Sequence, residues 1–246
     1  MFSLRLGMYV FQPTLVPSIA CALLVPILCS LGVWQLSRAD EKRDIEQVVH
    51  AAMNKPALVL QHATPVSVRQ EVYRLAVMSG RYDSTRQYLW DNKTHQGRPG
   101  FQVLTPFVLD ETNQVVIVNR GWIPLLGRRD QFPDISVEPY LRKVRGVIKA
   151  PSNALRLSKQ SDGQSQAYPR ILQAFESQVI ASELGQPVLP IMIELDSDEP
   201  SGYLRDWKPY YGNIGKHIGY AVQWFLMALI VAFLYVKLNL KRVEGG

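Results

Sequence analysis

The sequence predicts an α+β membrane protein in which two transmembrane helices flank a β-rich domain with an antiparallel sheet and at least one helix. Two long apolar runs, one near each end of the 246 residues, predict the transmembrane helices. Between them, short stretches of β-branched and aromatic residues alternate with polar residues, which is typical of strands. The expected boundaries are a tail at 1–13, a transmembrane helix at 14–36, a β-rich domain at 37–216, a second transmembrane helix at 217–236 and a tail at 237–246.

The second apolar run carries no charged residue between Lys216 and Lys237. At about 1.5 Å per residue, residues 217–236 reach roughly 30 Å, which is the hydrocarbon thickness of a bilayer. Polar side chains are unfavourable there unless they have partners. The first two turns of this helix nevertheless carry His217, Tyr220, Gln223 and Trp224.

The first apolar run is uncharged over residues 6–37 and is interpreted as an uncleaved membrane anchor. A cleaved signal peptide is the alternative, but the run is long, contains Pro17 and Pro26, and lacks a cleavage site formed by small residues. Both cysteines of the chain, Cys21 and Cys29, lie in this run, so the sequence offers no disulfide framework.

Two spans place both chain ends on one side of the membrane. Lys237, Lys241 and Arg242 follow the second span, and an excess of basic residues is typical of cytoplasmic segments. The N-terminal tail also lacks the features of an organelle transit peptide. We therefore expect a multi-pass protein of a bacterial inner (plasma) membrane, with cytoplasmic termini and a periplasmic central domain.

The central domain is expected to begin with a polar helix at 37–49 that leaves the membrane. A turn at 110–113 predicts a hairpin, 155–169 reads as a loop, and 171–184 has helical periodicity that ends at a glycine. The predicted strands are 73–80, 87–91, 101–109, 115–119, 144–149 and 189–195.

Composition and motifs exclude several function classes. The net charge of +6 does not indicate nucleic-acid binding, because the basic residues of the central domain are interspersed with acidic ones. The sequence has no phosphate-binding loop, dinucleotide-binding glycine pattern, hydrolase elbow or metalloprotease motif. Because His50, His62 and His95 each occur singly, an enzyme is not predicted.

The membrane-proximal residues are the main candidates for a site. Trp34 and Gln35 end the first span, and the second span begins near the same membrane face, where His217, Tyr220 and Trp224 share a helical stripe. An aromatic belt and an interhelical glutamine hydrogen bond, from Gln35 or Gln223, account for most of these residues. His217 allows a second interpretation, as an axial ligand of a haem iron.

In the central domain, Arg120, Gly121 and Trp122 follow a buried strand. The simplest interpretation is a sharp turn at the glycine and a packed tryptophan. Arg120 is also a candidate for pairing with a carboxylate or propionate of a partner.

Three segments of the sequence stand out in order: GVWQLSR at 32–38 followed by Lys42, VNRGW at 118–122 with Pro124, and HIGYAVQWF at 217–225. Shorter features are Gly80 with Tyr82, Asp91-Asn92 and Leu104–Pro106. Taken together, and over nearly the whole chain, these motifs resemble the surfeit locus protein family.

The resemblance implies a non-enzymatic assembly factor for haem–copper terminal oxidases, chiefly cytochrome c oxidase. It implies that His217 ligates the iron of haem a, flanked by Tyr220 and Trp224, and that the haem passes to oxidase subunit I. A haem a synthase is a further possible partner. The alternatives are a scaffold that stabilises an oxidase subunit without haem, and a membrane-anchored enzyme.

Overall fold

The computed structural model describes residues 4–6, 8–127, 132–150, 168–207 and 213–242. The chain forms two compact units, one from its two ends (Met1–Val48 with Tyr210–Gly246) and one from its middle (Val49–Pro209). In chain order the elements are β1 (Leu4–Leu6), β2 (Tyr9–Phe11), α1 (Leu15–Met53), β3 (Leu58–Val59), a 3-10 helix (Leu60–His62), α2 (Pro65–Arg69), β4 (Leu75–Tyr82), β5 (Tyr88–His95), β6 (Arg98–Leu109), β7 (Val115–Pro124), β8 (Arg142–Lys149), β9 (Arg170–Leu172), α3 (Ser177–Leu184), β10 (Val188–Leu195), α4 (Ile214–Asn239) and β11 (Leu240–Arg242).

The unit formed by the chain ends contains the two long apolar helices, α1 and α4. Each contains an 18-residue window of high mean hydropathy, 2.2 in α1 and 2.0 in α4, and only 6% and 11% of these windows are buried. An apolar helix surface that the protein itself leaves uncovered suits a lipid environment. The two predicted apolar helices are therefore confirmed, and the predicted polar helix at 37–49 is the continuation of α1.

The two helices are antiparallel, and hydrogen bonds join the ends that lie next to the chain termini. The amide and hydroxyl of Thr14 donate to Asn239 Oδ1 at 2.9 and 3.1 Å, and Asn239 Nδ2 donates to the Tyr235 carbonyl. The Ser18 hydroxyl lies 2.8 Å from the Tyr235 hydroxyl. Since Asn239 is buried, these bonds satisfy polar groups that have little contact with water.

A small antiparallel sheet also joins the chain ends. Strand β2 pairs with β1 on one side and with β11 on the other. These strands lie in the segments expected to be tails at 1–13 and 237–246, whose residues 1–3, 7 and 243–246 lie outside the described part. Composition gave no sign of the strands, because each is three residues long.

The middle unit is a β-barrel with three additional strands. The barrel strands pair in the order β4-β8-β10-β7-β6, and pairing of β4 with β6 closes the ring. When the barrel strands are numbered 1 to 5 along the chain and the ring is read in the opposite direction, from β4 through β6, the order is 1-2-3-5-4-1. This is the Greek-key order of OB-type barrels. Neighbouring barrel strands are antiparallel except β7 and β10, which are parallel. The β-rich domain is thus confirmed, and its sheet is closed and mixed.

Barrel closure depends on a glycine at the point where β4 changes partners. Gly80 pairs with Leu109 of β6 and with Arg142 of β8. A Cβ atom at this position would lie 2.1 Å from the Val108 carbonyl oxygen. Only a residue without a side chain allows the two strands to approach this closely.

Most of the predicted elements of the barrel are present. The hairpin at 110–113 connects β6 and β7, and Gly185 ends α3 with a φ of 65°. The predicted helix at 171–184 is shorter than expected, because residues 170–172 form strand β9 alongside β5. Of the predicted loop at 155–169, residues 155–167 lie outside the described part.

Candidate functional site

The candidate site in the helix pair is centred on a hydrogen bond between its two helices. His217 Nδ1 of α4 lies 2.8 Å from Gln35 Oε1 of α1. Gln35 is buried and His217 is half-buried. The predicted interhelical glutamine bond is therefore present, and its partner is His217.

This bond determines the chemistry of the imidazole. A glutamine carbonyl oxygen only accepts hydrogen bonds, so the imidazole Nδ1 carries a proton and donates the hydrogen bond to Gln35 Oε1. The Nε2 atom of this tautomer has its lone pair available for a metal ion. Histidines that bind metals are commonly oriented in this way by a hydrogen bond from their other nitrogen.

The surrounding helix surfaces separate the predicted site residues into two groups. Ala221 is buried against α1 and Trp224 is half-buried, so both lie on the same side of α4 as His217. Tyr220 is 41% exposed and Trp34 is 50% exposed, so their rings lie on the outside of the pair. Gln223 is also exposed.

Small residues bring the helices together near this bond. Gly32 lies about one turn from Gln35, and a Cβ atom added there would be 2.7 Å from the Phe225 ring. This close packing fixes the distance between the helix axes where His217 and Gln35 meet.

The other set of predicted site residues, Arg120, Gly121 and Trp122, lies in the middle unit at a bulge of β7. Asn119 pairs with Leu104 and Trp122 pairs with Gln102, so Arg120 and Gly121 together oppose the single residue Val103. The extra residue bends the strand and places the Arg120 side chain in the interior, where it is 2% exposed.

Arg120 is held by neutral acceptors. Its Nε donates to the Ser201 carbonyl at 2.7 Å, and Nη1 donates to Gln87 Oε1 at 3.0 Å and to the Ile135 carbonyl at 2.9 Å. Among the described residues, no carboxylate forms an ion pair with it. Burial lowers the pKa of Arg120, and the nearby Tyr203 and Tyr82 oppose this effect.

These bonds connect two loops to the barrel, one that contains Ile135 and one that contains Ser201. A cavity of about 310 Å³ lies between the two loops. The cavity is lined by Arg120, Ser136, Val137, Glu138 and residues 201–203. Arg142 joins the same loops, donating to the Ser201 hydroxyl and to the Glu138 carbonyl. Arg120 thus organises the loops, and its contact with an external partner stays a prediction.

The prediction of a sharp turn at Gly121 is wrong. Strand β7 continues through Pro124, and Gly121 has a φ of 117° within the bulge. The chain at 203–204 runs alongside the bulge, and a Cβ atom on Gly121 would lie 2.8 Å from the Leu204 carbonyl oxygen. Trp122 is packed as expected, and its Nε1 donates to the Lys93 carbonyl at 3.0 Å.

The sequence did not predict the hydrogen-bond partners of His217 and Arg120. Gln35 and His217 are 182 residues apart, and Arg120 and Ser201 are 81 apart. Neither spacing corresponds to a helical or strand period. In the part of the chain that the structure describes, no three His, Cys, Asp or Glu side chains form a metal-binding group.

Comparison with known proteins identifies the family. The sequence profile of the SURF1 family matches residues 22–229, which include the barrel and most of both long helices. The chain belongs to the SURF1 family. The resemblance to the surfeit locus family noted in the sequence is therefore confirmed.

Relatives of this SURF1-family protein occur in bacteria and eukaryotes. It is 27% identical over 225 residues to a SURF1-like protein of Rickettsia felis (85% of this chain, 91% of the relative). It is 21% identical over 247 residues to surfeit locus protein 1 of Xenopus tropicalis (90% of this chain, 75% of the relative). It is 26% identical over 94 residues to the cytochrome oxidase assembly protein SHY1 of Saccharomyces cerevisiae, covering 38% of this chain and 24% of the relative.

Substitution of Gly121 by alanine should destabilise the barrel by about 1–3 kcal/mol, because a side chain at a φ of 117° adds backbone strain and meets the Leu204 carbonyl. Urea denaturation of the detergent-solubilised chain, followed by near-UV circular dichroism, measures the change. Gly97→Asn is the control, since nothing lies within 4 Å of its Cβ position and asparagine tolerates its φ of 77°. Equal midpoints for Gly121→Ala and the wild type would contradict the strained-bulge interpretation.

A second prediction concerns Tyr82, which packs between Arg120 and Arg142. Burial raises its pKa to about 12, although both guanidinium groups oppose the shift. Because the phenol ionises near pH 10 in the unfolded chain, Tyr82 should contribute a loss of up to about 2–3 kcal/mol of stability between about pH 10 and 12. Tyr82→Phe should remove this contribution, while Tyr88, whose pKa is also raised by burial, keeps its own.

At neutral pH, Tyr82→Phe should not lower stability, since the hydroxyl has no partner among the described residues. Tyr88→Phe is the matched control, because it removes a hydrogen bond from the Tyr88 hydroxyl to Glu183 at 3.2 Å and should destabilise at neutral pH. Urea midpoints of the three chains at pH 7 and pH 11 give both comparisons. A similar alkaline loss in Tyr82→Phe and the wild type would refute the assignment.

Proposed function

We propose that this SURF1-family protein is an assembly factor for a haem–copper terminal oxidase, and that it holds haem a through His217 before insertion into oxidase subunit I. Family membership and the yeast relative's name support the oxidase assembly role. The hydrogen bond between His217 Nδ1 and Gln35 Oε1 carries the haem part of the proposal.

The residues of the helix pair fit a haem. His217 offers Nε2 as a ligand, and Gln35 fixes the ring orientation and its tautomer. Trp224 provides aromatic surface on the same side of α4 for a flat macrocycle, and Tyr220 lies at the edge of that surface, about 60° from His217 around the helix. The bound haem would supply an iron with an axial position for the imidazole. A single histidine from this chain suits transient holding, because one ligand exchanges more readily than a closed set.

The apolar helices and the charge of the segment after α4 support a proposed location. We propose a bacterial inner membrane protein with cytoplasmic termini and a periplasmic barrel. The pairing of β2 with β11 joins the two ends of the helix pair, and Lys237, Lys241 and Arg242 lie at those ends. Oxidase subunit I, the lipid bilayer and possibly a haem a synthase are the proposed partners.

One observation favours the alternative of a haem-independent scaffold. The Gln35–His217 bond also holds α1 against α4, so His217 has a structural role even without haem. A scaffold that stabilises an oxidase subunit would need only the intact helix pair. The experiment therefore has to separate ligation from helix packing.

Absorbance spectra of detergent-purified chains, co-expressed with haem a synthesis, test the proposal. His217→Ala should lose the Soret and α bands, and Gln35→Leu should weaken haem affinity about 10–100-fold, as expected for removing a group that orients a metal ligand. His62→Ala is the control, since this exposed histidine lies in the other unit and should leave the spectrum unchanged.

Added imidazole provides the decisive comparison. It should restore the bands of His217→Ala by replacing the missing ligand, although it cannot restore helix packing. Bands that persist in His217→Ala without imidazole, or that are absent from every chain, would reject haem ligation. If haem ligation is rejected and oxidase yield in cells still falls alike for His217→Ala and Gln35→Leu, the scaffold is the correct function, because both substitutions remove the same interhelical bond.

A further inference from the structure

The outer surface of α4 carries three polar or amphipathic residues on one face, Lys216, Tyr220 and Gln223, called here the outer stripe. They are exposed and lie within about 60° of one another around the helix. The buried line through Ala221 and Ala228, which faces α1, lies roughly 130° away. The outer stripe is therefore separate from the surface that holds the helix pair together.

Gln223 is the unusual member of the outer stripe. It lies about 10 Å along the helix from Lys216, inside the apolar span, and its neighbours Phe225, Leu226 and Met227 are apolar and exposed. A side-chain amide that faces hydrocarbon has no water to bind. Its donors and acceptor need partners from protein.

The helix pair itself supplies no such partner. Among the described residues, no hydrogen bond is formed by the Gln223 side chain. Four other polar side chains of the spans are bonded within the pair: Ser18 to Tyr235, Ser30 to the Pro26 carbonyl, Gln35 to His217 and Asn239 to Thr14. Gln223 and the Tyr220 hydroxyl, both on the outer stripe, form no hydrogen bond among the described residues and depart from this pattern.

Lys216 adds a charge at the beginning of the same face. Its Nζ lies 5.9 Å from the centre of the Tyr220 ring, and no carboxylate among the described residues pairs with it. The outer stripe therefore presents a cation next to the membrane surface and an amide about 10 Å deeper. This combination specifies the chemistry of a complementary helix.

We propose that the outer stripe docks a transmembrane helix of another protein. That helix would carry a hydrogen-bonding side chain opposite Gln223 and an acidic residue about 10 Å nearer the surface, opposite Lys216. Its identification as a helix of the oxidase membrane subunit rests on the proposed function. The docking itself does not require haem.

A second copy of this chain fits the outer stripe poorly. Two copies share one orientation in the membrane, so a symmetric contact through this face would place Lys216 beside Lys216. Like charges in contact repel, whereas an acidic residue of a different chain attracts. A lipid headgroup would suit Lys216 but leaves the amide of Gln223 unpaired.

Photo-crosslinking of the full chain in cells that assemble the oxidase tests the docking. A benzophenone side chain at position 227, which continues the outer stripe, should form an adduct with a transmembrane helix of the oxidase membrane subunit. The same probe at position 229 is the control, since Leu229 lies only about 3 Å further along the helix, faces away from the outer stripe and is also exposed. The expected yield at position 229 is at least several-fold lower.

Substitutions then test the two proposed contacts with the probe kept at position 227. Gln223→Leu and Lys216→Glu should each reduce the adduct several-fold, while Gln223→Asn should retain most of it because an amide remains. An adduct with a second copy of this chain or with lipid alone would overturn the proposal. So would equal yields at positions 229 and 227, or yields that neither substitution changes.

Haem spectra of the same chains keep this result distinct from the proposed function. Gln223→Leu should keep the haem bands, and His217→Ala should keep the adduct. If Gln223→Leu abolishes the bands, the outer stripe belongs to the haem site and the docking proposal fails. If the adduct forms while no chain binds haem, the docking proposal is supported and the proposed haem-holding function is rejected.

Discussion

The hydrogen bond between Gln35 and His217 is the interaction on which the candidate site depends. It joins two antiparallel helices from opposite ends of the chain, and it also assigns the proton to Nδ1 of the imidazole. One contact therefore has a structural and a chemical consequence: it pairs two polar side chains near the end of an apolar span, and it leaves Nε2 available. The close approach at Gly32 and the small side chain of Ala221 make this geometry possible, because bulkier residues would separate the helices.

The barrel has a comparable organising residue in Arg120. A bulge directs its side chain into the interior, where carbonyl groups of two loops and the amide of Gln87 surround the guanidinium. No carboxylate among the described residues pairs with this buried cation, which is tolerated because each of these acceptors contributes a charge-assisted hydrogen bond. Gly121 is required beside it, since the chain at 203–204 passes too close for any side chain. The loops around the cavity are thus fixed by the core of the barrel.

The surface of the helix pair suits a protein that meets partners within the membrane. Most polar groups of the spans bond to each other, which allows the pair to persist as a unit. Gln223 and Lys216 differ, since their polar atoms face outward on one side of α4. A surface with few such groups favours reversible association, because individual hydrogen bonds between transmembrane helices contribute modestly. Reversible association would suit the proposed assembly role, since an assembly factor must leave its product.

The sequence by itself determined the two apolar helices, the β-rich middle, most strand positions, the glycine that ends α3 and the family. These features follow from local composition and periodicity, to which the backbone responds directly. Only the tertiary structure decided that the sheet closes into a barrel, that residues 170–172 form a strand, and that β7 continues past Gly121 as a bulge. It also decided that Gln35, and not Gln223, forms the hydrogen bond between the two helices. Each of these depends on contacts between residues far apart in sequence, and no local pattern records which distant group will satisfy a given donor or carbonyl.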